Sequence, residues 1–184
     1  MSASPFRTRP GHAWEVARVE LVGDLLALTG GHRYLAEYAI IAVVARFQRA
    51  CRELFHLTVA ELASVVDEPA ATIIRTGLIA EHRLARGNAT SAALAADFDR
   101  VGIDIWALPV PGFADSAAAR RALDAVNALR NNFAHGDTDR EPPNANLALG
   151  IVEQLDALVR AFEAGVVAHL AALRSAHPSG RGGE

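Results

Sequence analysis

SAAARRALDAVNALRNNFAHG, residues 116–136, carries the pattern on which the fold reading turns. At about 100° per residue, Ala122, Val126, Leu129 and Phe133 fall on one side of a helix and form an apolar stripe. Asp115 or Ser116 stands where a side-chain oxygen can cap the free N–H groups of the first turn, and Gly136 stands where a left-handed residue can end the helix after Ala134. The other side is polar. Asn127, Asn131 and His135 recur every four residues, and Arg130 lies about 100° from Asn131 beside them.

The same helical period runs outward in both directions. Residues 13–28 place Val16, Val19, Val22, Leu25 and Leu26 at helical spacing, and Gly30-Gly31 stops the element. Residues 34–55 read as a central helix, with Leu35, Tyr38, Ile41, Ala42 and Ala45 and then Val44, Phe47, Cys51 and Leu54 on drifting apolar faces. Thr58-Val59-Ala60-Glu61 has the form of a capping box and predicts a new helix to about Val66. A further helix is expected over 69–83, with Pro69 in its first turn, and a weaker one over 91–98. Arg86-Gly87-Asn88 and the proline-rich run 107–113 read as connectors. Asn144 or Asn146 can cap a long closing helix that buries Leu147, Ile151, Leu155, Leu158, Phe162, Val166 and Leu170. No strand-like alternation or internal repeat interrupts this, so the expected fold is all-α, an up-and-down helical bundle over 13–177 with an irregular middle. Residues 1–12 read as a flexible N-terminus and 178–184 as a disordered, glycine-rich tail.

Composition narrows the chemistry. All eighteen basic residues are arginine, which suggests the codon usage of a GC-rich bacterial genome and leaves no side chain for Schiff-base catalysis. A net charge of −3 argues against a broad nucleic-acid surface, so any RNA site must be local. No run approaches the roughly 20 apolar residues of a membrane span. The single cysteine, Cys51, has no partner for an intrachain disulfide, and the N-terminus lacks the apolar core of a secretory signal. A cytoplasmic protein is expected.

The polar stripe on 116–136 has two readings. An imidazole exchanges protons near neutral pH, and a guanidinium holds phosphate oxygens without losing its charge. RNA brings its own nucleophile, the 2′-hydroxyl, so His135 as acid or base and Arg130 as the charge-stabilising group need no metal and no cofactor; Asn131 could orient the imidazole and Asn127 could contact substrate. On an ideal helix Arg130 and His135 diverge by about 140°. Either the helix deforms near Gly136, or two copies meet along this face, which is too polar to bury within one chain, and pool their groups. The plainer reading is that His135 and Arg130 simply complement the negative end of the helix dipole.

The string Leu129-Arg130-Asn131-Asn132-Phe133-Ala134-His135-Gly136 resembles the signature of the HEPN superfamily, an Arg followed four to six residues later by His, often with Asn directly after the Arg. The upstream central helix, the long closing helix and Gly102-Ile103-Asp104-Ile105-Trp106 resemble HEPN proteins of the RiboL-PSP type. The resemblance implies a helical bundle that forms a homodimer through the motif-bearing helices. It further implies a metal-independent endoribonuclease leaving a cyclic phosphate, in toxin–antitoxin or anti-phage defence, with Arg130 and His135 as the catalytic pair and Asn131 as their polar neighbour. Superfamily toxins silenced by a nucleotidyltransferase antitoxin often carry Tyr two residues after the His, where this chain has Asp137. Similar strings occur in non-catalytic helical regulators, so a nucleotide-, RNA- or protein-binding module is the alternative.

Other polar residues also admit two readings. Arg46, Arg49 and Arg52, spaced three apart on the central helix, could form a strip for RNA phosphates or a solvated face paired with Glu53. His32 and His56 read as helix-terminus residues, and the remaining histidines lack the spaced partners of a zinc site. Trp14 and Trp106 are expected in the core or an interface.

Overall fold

The computed structural model describes residues 14–15, 18–19, 22–23, 33–135 and 143–176. All of its regular structure is helical, and no strand occurs among the described residues. Six helices can be bounded among the described residues: α1 (Arg33–Ala63), α2 (Glu68–Ile79), α3 (Arg83–Arg86), α4 (Ser91–Asp99), α5 (Ser116–Ala134) and α6 (Ala145–Ala176). The hub is α1, which packs against each of the other five, whereas among these helices α2 packs on α1 alone. Residues 14–15, 18–19 and 22–23 are helical as expected, but Val19 is 63% exposed, while Trp14 is buried edge-on to Phe47 and donates its indole N–H to Asp156 Oδ1 at 3.0 Å.

The central helix differs from its expected form in two ways. Of the two faces read from the sequence, the second is the core: Val44, Phe47, Cys51 and Leu54 are buried, joined by Ile40, Phe55 and Val59, while Tyr38 is 69% exposed. Burial pushes the Cys51 thiol well up from its ordinary pKa, which keeps it neutral. The helix also does not restart at Thr58. That residue is fully buried inside α1, and its hydroxyl donates to the Leu54 carbonyl one turn back at 2.7 Å. A capping box requires the Thr backbone to leave the helix; here the hydroxyl is satisfied within it, and Val59 and Ala63 carry the apolar stripe onward.

Beyond α1, Asp67 caps α2 by accepting the Ala70 N–H at 3.1 Å, with Pro69 in the first turn. The expected helix over 69–83 ends earlier, at Ile79, and the chain starts afresh as α3. The reason lies outside the local sequence. Asp97 of α4 accepts the backbone N–H groups of Arg83 and Leu84, both at 2.8 Å, and so caps the start of α3 from across the fold.

Thr90 caps α4, Asp115 caps α5 through the Ala118 N–H, and Asn144 caps α6 through the Leu147 N–H at 2.9 Å. Six of the seven expected apolar positions on α6 are buried; Leu147, in the first turn, is 45% exposed, and Ala148 takes the inward place. The connector 100–115 is pinned rather than loose. Trp106 is buried edge-on to Phe162, donates its indole N–H to the Ser91 carbonyl and lies 5.3 Å beneath the Arg120 guanidinium. Gly165 lets Leu108 press onto α6: a Cβ there would stand 1.8 Å from Leu108 Cδ1. Gly136, residues 1–12 and the tail 178–184 lie outside the described residues.

Candidate functional site

The motif helix α5 buries Ala119, Leu123 and Val126, with Leu129 and Phe133 partly buried against the core. This apolar stripe is turned slightly from the expected one, because Leu123 rather than Ala122 faces inward. Asp124, on the neighbouring side, accepts both the backbone N–H and the hydroxyl of Ser91, which ties α5 to the start of α4.

The two asparagines of the polar stripe serve different purposes. Asn127 is only 3% exposed, and its amide N–H groups are spent on the Ala89 and Leu123 carbonyls, both at 3.1 Å. Its Oδ1 is buried without a hydrogen bond. Asn127 therefore belongs to the interior and not, as expected, to a substrate-contacting surface, and the polar stripe is in part buried within one chain.

Asn131, one turn on, is half-buried, and its Oδ1 accepts two hydrogen bonds at 3.1 Å, from Arg130 Nη1 and from Asn88 Nδ2. Asn88 in turn accepts from Gln48 Nε2 of α1 at 2.9 Å. The expectation that Asn131 orients the imidazole is replaced: its side-chain oxygen serves Arg130, and its backbone carbonyl accepts the His135 N–H at 3.0 Å. Arg130 is half-buried, and its Nε is enclosed without a hydrogen bond.

His135 is the C-cap of α5, at φ −96 and ψ 3, and its side chain is exposed. Imidazole and guanidinium thus stand at the same end of one helix, the first in solvent and the second held against the protein. Toward a phosphate ester an imidazole can give or take a proton and a guanidinium can balance charge.

Arg46, Arg49 and Arg52 of α1 do not form one strip. Arg49 is exposed and pairs with Glu53 at 2.8 Å, which raises its pKa chiefly through that hydrogen bond. Arg52 turns the other way and donates Nε to the Leu84 carbonyl at 3.2 Å. Arg46 is half-buried one turn before Arg49.

A second polar cluster, with no signal in the sequence, lies between α1 and the start of α3. His56, taken for a helix-terminus residue, lies well inside α1, with its Nε2 2.9 Å from Nε2 of the buried His82. Both imidazole pKa values are lowered: His56 by burial and then by the Arg52 charge, His82 by burial and then by His56, with Asp97 opposing. Among the described residues no group of three or more His, Cys, Asp or Glu could hold a metal ion, and no helix is long and apolar enough to cross a membrane. Neither Gln48 nor Asn88 carried a sequence signal beyond the turn around Gly87.

Compared with known family models, curated proteins and solved structures, the chain matches none of them.

Proposed function

We propose that this chain is a HEPN-type, metal-independent endoribonuclease of the cytoplasm, its helices forming the up-and-down bundle of that superfamily, in which Arg130 and His135 act on RNA with Asn131 in support. The observation that carries the reading is the posture of Arg130. Its hydrogen-bond partner is a neutral amide oxygen. With an amide rather than a carboxylate as its partner among the described residues, the guanidinium is left to meet an anionic oxygen, at the same helix end as an exposed imidazole.

The chemistry is an internal transfer. The RNA 2′-oxygen bonds to phosphorus while the bond from phosphorus to the 5′-oxygen breaks; the 2′-hydroxyl proton passes to a base and the leaving 5′-oxygen takes a proton from an acid. The products are a 2′,3′-cyclic phosphate and a free 5′-hydroxyl. One imidazole serves one of these proton transfers, and Arg130 balances charge on the phosphoryl oxygens. Two copies meeting at the exposed ends of α5 supply two imidazoles and two guanidinium groups, one His as base and its twin as acid. The burial of Asn127 leaves that interface to the last turn of α5, around Arg130, Asn131 and His135. A role in toxin–antitoxin or anti-phage defence, with an antitoxin partner, follows from the same reading.

The test is cleavage of mixed labelled RNAs in EDTA. Wild type is expected to leave cyclic-phosphate ends, and His135→Ala to lose roughly 10²–10⁴ in rate with unchanged unfolding. If purified wild type leaves every RNA intact but retains RNA in an Arg130-dependent manner, the chain is a binding module instead.

A further inference from the structure

The guanidinium of Arg130 sets the direction of every hydrogen bond behind it. Arginine can only donate, so the Asn131 amide must present its oxygen to Nη1. That same oxygen also faces Asn88, which must therefore present its NH₂ group. The Asn88 oxygen is thereby turned away and requires a donor of its own, supplied by Gln48 Nε2 at 2.9 Å. Two amides, each of which could in isolation point either way, are held in one orientation between a donor-only group at one end and the Gln48 amide of α1 at the other. The chain crosses from α1 through the connector between α3 and α4 to α5, at sequence separations of 40 and 43 residues.

We infer that Asn88 is a positioning residue for Arg130: by donating to Asn131 Oδ1 it stops that amide from turning over, and so keeps the guanidinium in the posture in which it meets phosphate. This rests on the reading of Arg130 as the phosphate-holding group. Without the Asn88 donor the Asn131 amide can reverse, and its NH₂ group would then face the guanidinium, donor against donor. Gln48 has the same role one step further back, holding Asn88. Gln48 and Asn88 touch no reacting atom; both act through Asn131.

The test uses Asn88→Asp, which keeps the shape and the acceptor for Gln48 but removes the donor, and Asn88→Ala, which removes the donor without adding charge. Nitrogen-15 spectra of the arginine side chains, with the Arg130 signal assigned by its loss in Arg130→Lys, report whether rotation of the guanidinium is restrained. Wild type is expected to show a restrained Arg130, and both Asn88 variants an averaged one, with helical content retained. In the RNA assay both variants are expected to lose roughly 10- to 100-fold in rate, the scale of a misplaced group.

An Arg130 signal that stays restrained in both variants overturns the inference. So does an averaged signal with undiminished cleavage. The spectra are recorded without RNA, so a wild type that shows no cleavage sinks the nuclease reading separately, and the Asn88 relay is then judged on the Arg130 signal alone.

Discussion

Gln48 and His56 lie about two turns apart on α1 and both reach the chain between residues 82 and 88, yet the polar chains they begin end differently. From His56 the contacts run to His82 and, 3.7 Å beyond its Nδ1, to Asp97, whose carboxylate is 1% exposed and already binds two backbone N–H groups. That chain ends buried, on Asp97, with His82 Nδ1 left without a hydrogen bond. From Gln48 the contacts run through Asn88 and Asn131 to Arg130, a group with five N–H donors at the end of a helix. That chain ends, among the described residues, on a half-buried guanidinium whose Nη1 donates to a neutral amide. The first network ends on a buried carboxylate that holds two backbone N–H groups of the fold; the second ends on a half-buried cation near the end of α5, held by a neutral amide.

The buried network should therefore break at a large cost in stability. Asp97→Ala strips the acceptor from two backbone N–H groups at the start of α3 and leaves His82 without its carboxylate neighbour. A loss of roughly 3–5 kcal/mol is expected in urea unfolding, since an abandoned buried donor costs about 1–3 kcal/mol and bonds to a charged acceptor are stronger than neutral ones. Asp97→Asn, which keeps one oxygen, should fall between. A loss below about 1 kcal/mol for the alanine variant would mean that α3 does not depend on this cap and that the two networks are not different in kind.

Acid tests the same network more gently. His56 and His82 have folded pKa values below the ordinary 6.5, so the unfolded chain binds more protons than the folded one in the window between. Stability from this pair is fully present above about pH 6.5 and is lost as pH falls through the folded values. Arg52 and Arg100 lean in the same direction on His82, while Asp97 opposes, as Glu53 does for His56. Urea unfolding between about pH 7.5 and 5.5 should show a decline that His56→Gln makes shallower; equal slopes would remove the pair from the account.

What could be read from the sequence follows the same division. The apolar period of α1, α5 and α6 announced helices because burial repeats every turn, and Asp115, Asn144 and Pro69 marked starts because caps act within three residues. The neighbourhood of Arg130 and Asn131 was visible for a related reason, since residues one apart on a helix remain neighbours wherever the helix goes. The split of the expected helix over 69–83 was not visible, because its cause, Asp97, comes from another helix. Asn88 and Gln48 were hidden for the same reason: each contributes a contact 40 or more residues away, and an amide in a turn looks the same whether it faces water or an arginine. Tyr38 and Val19 were placed inward because periodicity locates a face without saying which of two faces wins.

Thr58 offers the smallest effect, and it separates the two readings of α1. As the first residue of a capping box it would hold a free N–H of a new helix, and its loss would cost about 1–2 kcal/mol. In the structure its hydroxyl instead bonds back to the Leu54 carbonyl, a group that the helix itself can satisfy. Replacing the hydroxyl by a methyl group leaves no donor stranded, and the site is fully buried among apolar neighbours. Thr58→Val should therefore shift stability by no more than about 0.5 kcal/mol, in either direction, and leave helical content unchanged. A polar side chain that folds back on its own helix is thus set apart from Gln48 and His56, whose partners lie across the fold. If Thr58→Val instead costs as much as a lost cap, residues 58–63 form a separate element, and α1 ends where His56 was first expected to lie.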